Sequence, residues 1–222
     1  MKSRATARAR SAIIALAMLD HLVYAAPALD HAIDDIERLL GVRPAYGGKH
    51  AGGLTHNALL SLGAGSYLEI IAPVTDAKAR TEPLPFGLDS LTTPRLVTWA
   101  VSVDDIEGRA RAAKERGYDP GPVISGSRQL PDGSSLTWRL AVRPQPSGDG
   151  LVPFIIQWLS EPHPSAAAPA GCRFATLRGE HPDPASIEAV LDALAVEMEV
   201  VSGSAPRLIA AIDSPHGRVE LA

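Results

Sequence analysis

The sequence has one cysteine and few aromatic residues. Cys172 stands alone among 222 residues, which excludes an internal disulfide and any multi-cysteine zinc or iron–sulfur site. Aromatic residues make up 5% of the chain, and the basic residues are not interleaved with them as on nucleic-acid-binding surfaces. We therefore expect a reducing, cytoplasmic location and no nucleic-acid partner.

The chain also lacks a strong excess of charge and a membrane-length apolar run. Its net charge is -4, with 21% charged and 45% hydrophobic residues, as in ordinary globular proteins, so no membrane partner is expected. Basic residues precede a short apolar run at 12–19, a pattern shared with targeting segments. Because this run merges into a strand starting near Leu19, we expect 1–17 to be a disordered basic extension, with a targeting segment as the alternative.

Several motifs of nucleotide-binding and hydrolytic proteins are missing. Gly63-Ala64-Gly65 lacks the third glycine and the following helix that dinucleotide binding requires. The sequence has no phosphate-binding P-loop, no Gly-x-Ser-x-Gly elbow and no His-Glu-x-x-His helix. No nucleotide cofactor is therefore expected.

A repeated strand–helix pattern is present. Apolar strands are predicted to start near Leu19, Leu96 and Phe174, and each is followed by an amphipathic helix. Asp104 is the predicted N-cap of the second helix and Asp183 that of the third. After the first two helices, apolar segments bounded by glycine and proline are typical of further strands. The first two units are therefore predicted to be strand–helix–strand–strand–strand.

This organisation predicts an α+β fold. Paired βαβββ modules are expected at 18–160, followed by a linker rich in proline and alanine at 161–171. Residues 172–222 are predicted to form a third, partial βαβ-type module packed on the same fold. Edge strands in this arrangement could pair with those of a second copy, so a homodimer is a possible assembly.

One histidine and one glutamate are notable in the first module. His21 lies near the start of the first strand, and Glu69 lies at the centre of the strand 67–71. Alternation along that strand puts Tyr67, Glu69 and Ile71 on one face. An imidazole and a carboxylate on one concave sheet face form a minimal divalent-metal or acid/base site. Alternatively, His21 bonds to the backbone and Glu69 is a buried ion-pair partner of an arginine such as Arg139.

Four stretches, 19–25, 57–73, 131–141 and 153–164, resemble a known family. They are similar to glyoxalase-like-domain proteins of the vicinal oxygen chelate superfamily, which includes glyoxalase I, extradiol dioxygenases and antibiotic-resistance proteins. The resemblance implies that the paired modules curl into a cup-shaped mixed sheet. It also implies that metal ligands come from the first and last strands of each module.

On this chain, the resemblance implies that His21 and Glu69 are the catalytic residues. Together with Gln157 they would bind a divalent metal whose identity the resemblance does not specify. The second module has Leu96 or Thr98 where the first has His21, so one ligand of the family's set is missing. A metal held there would act as a Lewis acid on vicinal oxygens of the substrate.

Four further residues are predicted to bind a small-molecule substrate. Arg139, on a predicted strand, would hold a carboxylate or phosphate, with a salt bridge to Glu69 or Asp132 as the alternative. His50 lies in the glycine-rich segment 47–56, predicted to be a loop that closes over the pocket, with a solvated loop as the alternative. Trp99 and Trp158 are predicted to be pocket-wall or core residues.

The expected function is that of a glyoxalase-like small-molecule enzyme of the lyase, isomerase or dioxygenase type. The rival hypothesis is a non-catalytic binding or resistance-type protein that uses the same cup without a metal. A third hypothesis is a retained fold with a degraded pocket, in which Glu69 is a structural ion-pair partner.

Overall fold

A closed ring of eight strands forms the main part of the fold. The computed structural model describes residues 19–74, 83–130 and 132–222, and the predicted extension 1–17 lies outside these ranges. The ring runs in the order β1-β4-β3-β2-β6-β7-β8-β5. Its strands are β1 (Leu19–Ala25), β2 (Ala45–His50), β3 (Thr55–Gly63), β4 (Ser66–Pro73), β5 (Arg95–Ser102), β6 (Val123–Gln129), β7 (Ser135–Ala141) and β8 (Phe154–Trp158).

The ring is built from two βαβββ modules, which confirms the predicted fold. In each module the first and last strands are parallel neighbours, β1 with β4 and β5 with β8. The modules join where β1 runs antiparallel to β5 and β2 antiparallel to β6. The predicted cup is therefore closed, and its inner face encloses a space.

Helices α1 (Leu29–Leu40) and α2 (Ile106–Glu115) follow the first strand of each module. On α1 a stripe of apolar side chains recurs at helical spacing and is buried, whereas Leu39 is exposed. The helix ends at Gly41, whose left-handed φ of 74° lets its backbone N–H bond to the Glu37 carbonyl. Asp105 caps α2 by accepting a hydrogen bond from the Gly108 N–H. The predicted N-cap Asp104 was therefore wrong by one residue.

Both faces of the ring are apolar. The outward side chains of β1 and β4, such as Leu22 and Ile70, pack in a core that includes residues of α1 and α2. The inward side chains, including Val23, Ile71 and Ile156, form a second cluster inside the ring. Tyr67, Glu69 and Ile71 share the inner face, as their alternation predicts.

A second sheet follows the ring. It consists of β9 (Arg173–His181), β10 (Glu199–Ser202), β11 (Arg207–Ser214) and β12 (Gly217–Leu221), in the order β10-β9-β11-β12. Strands β9 and β10 are parallel and flank α4 (Pro184–Ala193), which gives the predicted βαβ-type unit. Many of its buried side chains, such as Phe174, Leu191 and Ile212, belong to the same outer core as those of the ring.

The predicted linker 161–171 contains a one-turn helix, α3 (Pro164–Ala167). The domain boundaries around it stay a prediction. Across the described ranges, no helix combines the length and apolar character that a membrane span needs.

Candidate functional site

A cavity of about 590 Å³ occupies the inside of the ring. That volume is in the range of small-molecule sites. Its walls are largely apolar and include Phe86, Trp138, Phe154 and Trp158. Its polar groups include His21, His50, Asn57, Glu69 and Arg128.

His21 is held in one orientation by its neighbour in sequence. Its Nδ1 lies 2.6 Å from Asp20 Oδ1, and both side chains are almost completely buried. The irregular pairing of β1 between Leu19 and His21 accompanies this side-by-side placement. The imidazole also stacks on the Tyr67 ring, with centroids 4.7 Å apart. Because Nδ1 is engaged, Nε2 is the nitrogen available to the cavity.

Asp20 is surrounded by hydrogen-bond donors. Trp158 Nε1 donates to its Oδ2 over 2.9 Å, and His163 Nε2 lies 3.2 Å from the same oxygen. Burial raises the pKa of the Asp20 carboxyl, but the hydrogen bonds with His163 and His21 outweigh this and bring it well below its usual range. The ionised carboxylate requires donors, so it favours the His21 tautomer with the proton on Nδ1.

Glu69 lies across from His21 on the inner face of β4. Its Oε2 is 3.8 Å from His21 Nε2, too far for a hydrogen bond, and its Oε1 is 3.5 Å from His50 Nε2. Asn57 Nδ2 donates to Oε1 over 2.6 Å. Burial raises the pKa of Glu69, but the hydrogen bond to His50, the charges of His21 and His50 and the Asn57 amide lower it to about 2. Glu69 is therefore a charged group that stabilises an adjacent imidazolium.

The structure brings four of the predicted site residues together. His21, His50, Glu69 and Trp158 all border the cavity. His50 lies at the end of β2, so the glycine-rich segment predicted as a loop is largely a strand followed by a tight turn. Its Nδ1 is 2.9 Å from Thr55 Oγ1, across the β2–β3 hairpin.

Gln157, the predicted third metal ligand, lies on the opposite face of β8. Its Nε2 donates to the Asp104 carbonyl over 2.5 Å, and its Oε1 accepts from the Ile106 N–H at the start of α2. The inward positions of β8 hold Phe154, Ile156 and Trp158 instead. The placement of Gln157 beside His21 and Glu69 was therefore wrong, because alternation along β8 turns it outward.

Arg139 and Trp99 also point away from the cavity. Arg139 forms an ion pair with Glu107 of α2, which is neither the predicted substrate contact nor a contact with Glu69. Trp99 is buried in the outer core and donates its Nε1–H to the Leu151 carbonyl over 2.9 Å. Their predicted placement at the cavity was therefore wrong, since these side chains occupy outward strand positions, and Trp99 is a core residue, which was the alternative for it.

Sequence reasoning missed Asp20, Asn57 and Arg128. Arg128 Nη1 donates to Asn57 Oδ1 over 2.7 Å, so the Asn57 amide connects this guanidinium to Glu69. A polar residue next to His21 was visible in the sequence as a possible orienting group for the imidazole. The Asn57–Arg128 pair gave no such signal because 71 residues separate its members.

The residues at this site do not make a metal-binding set. No group of three or more His, Cys, Asp or Glu side chains in the described ranges is placed to hold a metal ion. Gln157, the third ligand that the family resemblance implied, is turned outward. Glu69 Oε1 accepts a hydrogen bond from Asn57, and the Glu69 carboxylate lies 3.8 Å from His21 Nε2 and 3.5 Å from His50 Nε2. The proposed mechanism uses these side chains alone.

A ring of paired βαβββ modules around a small-molecule cavity is the architecture of the vicinal oxygen chelate superfamily. Within it, the model of the glyoxalase-like domain matches residues 19–195. Because the match spans most of the chain, the protein belongs to the glyoxalase-like domain family. A comparison with curated proteins found no match.

Several solved structures are similar to this chain at low sequence identity. A hypothetical protein from Staphylococcus aureus is 14% identical, with 85% of this chain and 87% of that chain covered and a TM-score of 0.64. Methylmalonyl-CoA epimerase from Mycobacterium tuberculosis is 21% identical, with 68% and 92% covered and a TM-score of 0.41. The Streptomyces coelicolor epimerase in complex with 2-nitronate-propionyl-CoA is 16% identical, with 64% and 98% covered and a TM-score of 0.42. At 14% identity the similarity to the Staphylococcus aureus protein concerns the fold alone.

Proposed function

We propose that the protein is an enzyme of the isomerase or lyase type that moves a proton on a small carbonyl compound bound inside the ring. The observation that carries the proposal is the position of His21. Its Nδ1 is fixed by buried Asp20, and its Nε2 faces a largely apolar cavity with Glu69 3.8 Å away. An imidazole oriented by one carboxylate and flanked by another is suited to general base catalysis.

The proposed step is proton abstraction from a carbon next to a carbonyl group. His21 Nε2 takes the proton, the C–H bonding electrons move to the carbonyl oxygen, and an enolate forms. The imidazolium, stabilised by Asp20 and Glu69, then returns the proton to carbon. Glu69 acts through its charge, because a carboxyl with a pKa of about 2 is a weak base at neutral pH.

Hydrogen–deuterium exchange tests this proposal without knowledge of the natural substrate. A panel of α-hydroxyketones, 2-oxo acids and acyl thioesters is incubated with the protein in D₂O, and loss of the α-proton signal is followed by NMR. At least one class should exchange faster with the wild type than with His21→Asn, by roughly 100-fold or more. His56→Asn is the matched control, because His56 is a half-buried histidine of β3 that does not line the cavity.

Equal exchange with the wild type and His21→Asn across the whole panel would contradict proton transfer by His21. Because the proposed step uses no metal, exchange should survive treatment of the protein with EDTA. If chelation abolishes exchange and a divalent metal restores it, the metal-dependent mechanism is favoured instead.

A non-catalytic binding protein is the second candidate. The apolar walls of the cavity and the outward turn of Gln157 support it. This candidate predicts saturable stabilisation by a ligand, with no exchange of its α-protons in any protein variant.

A further inference from the structure

Arg128 is a buried cation whose partner in the protein is neutral. Its side chain is 4% exposed, and it lies on β6 next to His50 of β2 and Leu136 of β7, both of which face the inside of the ring. Its hydrogen-bond partner is the Asn57 amide oxygen. Within the described ranges, no Asp or Glu oxygen lies within 4.0 Å of its guanidinium nitrogens. Buried arginines are ordinarily paired with an anion.

Neighbouring residues hold the guanidinium at the cavity wall. Asn57 uses its oxygen for Arg128 and its nitrogen for Glu69, so the amide separates the two charges. Both Glu69 oxygens already face other groups. Oε2 faces His21, and Oε1 faces His50 and Asn57. A Cβ on Gly47 would lie 2.3 Å from Arg128 Nη1 and 2.5 Å from Asn57 Oδ1. Glycine at this position therefore leaves the space that the Arg128–Asn57 pair occupies.

We propose that Arg128 is the specificity-determining residue that binds a carboxylate of the substrate, so that the natural substrate is a small organic acid with an apolar body. The guanidinium offers further N–H groups beyond the one bonded to Asn57, and its planar fork matches a carboxylate. The apolar body would lie against Trp138 and Phe154, which border the same cavity. This inference rests on the proposed function, since it names the substrate class for the same cavity.

Matched acids and amides test the inference. Phenylacetate, 3-phenylpropionate and hexanoate are each compared with their primary amides, which keep the shape and lose the charge. Binding is followed through the fluorescence of Trp138 and Trp158, which line the cavity. In the wild type at least one acid should bind roughly tenfold or more tightly than its amide, because a charge-assisted hydrogen bond replaces a neutral one.

In Arg128→Gln, the ratio of the acid's binding affinity to that of its amide should fall close to one. Arg139→Gln is the matched control, because Arg139 is an arginine on the outer face of β7, and it should leave the ratio unchanged. If Arg128→Gln does not fold, Arg128→Lys replaces it. Lysine keeps the charge without the planar fork, so the preference should fall but persist.

Three results would overturn the inference. They are a ratio near one in the wild type, binding of none of the three pairs, and an unchanged ratio in a folded Arg128 variant. These binding results are distinguishable from a failure of the proposed function, because the proposed function is tested separately by α-proton exchange. Exchange without an acid preference overturns the role of Arg128 alone, and an acid preference without exchange overturns proton transfer alone.

Discussion

Two buried carboxylates lie on either side of the His21 imidazole. Asp20 is hydrogen-bonded to three donors and fixes the ring through Nδ1, whereas Glu69 lies 3.8 Å from Nε2. Burial alone would raise the pKa of both carboxyls, and the surrounding imidazoles, together with the Asn57 amide at Glu69, lower it instead. The site therefore places two carboxylates beside one imidazole.

At the residue scale, Glu69 should make stability depend on pH. Its folded-state pKa of about 2 lies below the ordinary 4.5, so its stabilising effect is complete above pH 4.5 and is lost as the pH falls towards 2. The lost free energy of unfolding should be about 3 kcal/mol. In urea denaturation between pH 5 and 2.5, Glu69→Gln should flatten this dependence. Glu115→Gln, at an exposed carboxylate, is the control. If the free energy of unfolding of Glu69→Gln changed with pH in parallel with that of the wild type, the prediction would be contradicted.

The inner face of the first module was predictable from the sequence, and that of the second was not. Glu69 was placed on the inner face from the alternation of its strand, and His21 from its position near the start of the first strand. Arg139 was placed from its predicted strand and Gln157 from the family resemblance, but both side chains point outward, each next to a tryptophan that faces the cavity. Both faces of these strands are apolar, since helices cover the outside and the cavity lies inside, so composition does not distinguish the two faces.

At the element scale, β2 was obscured by its glycines. Gly47 and Gly48 lower strand propensity, and a loop was therefore predicted for a segment that pairs with both β3 and β6. Glycine is required at both positions because residues distant in sequence occupy the space of a side chain. A Cβ on Gly47 would meet Arg128, and a Cβ on Gly48 would lie 2.2 Å from the Gln129 carbonyl oxygen. Such requirements follow from strand pairing across the two modules and are not visible locally.

Gly47→Ala tests this explanation. Strand propensity alone predicts a small gain in stability from the substitution. The close approach to Arg128 and Asn57 predicts the opposite sign, a loss of roughly 1–3 kcal/mol in the free energy of unfolding. Chemical denaturation gives the sign directly. A stabilised variant would contradict the tight placement of the Arg128–Asn57 pair.

At the scale of the whole molecule, the ring and the second sheet share one core. Phe174, Leu208 and Ile212 of the second sheet belong to the same buried cluster as Leu60 and Trp99 of the ring. The first module, the second module and the C-terminal unit therefore depend on one another for burial of their apolar surface.

This shared core predicts a single unfolding transition. In calorimetry the measured enthalpy should equal the van't Hoff enthalpy. Ile212→Ala should shift the entire transition to lower temperature, at a cost of roughly 2–5 kcal/mol. Leu159→Ala, at a side chain that is 55% exposed, is the control and should leave the transition almost unchanged. Two separate transitions, with Ile212→Ala affecting one of them, would show that the C-terminal unit folds on its own.

The central claim is that Asp20 orients His21 for proton transfer inside the ring. Its most direct test is the rate of α-proton exchange catalysed by Asp20→Asn, compared with the wild type on the compound that exchanges fastest. An asparagine removes the charge. Because Trp158 and His163 face the Oδ2 position with N–H groups, the asparagine oxygen takes that place and its N–H faces Nδ1, so the favoured tautomer and the stabilised imidazolium are both lost. We expect a fall in rate of roughly 100-fold or more in a folded variant. A folded Asp20→Asn protein that exchanges at the wild-type rate would contradict it.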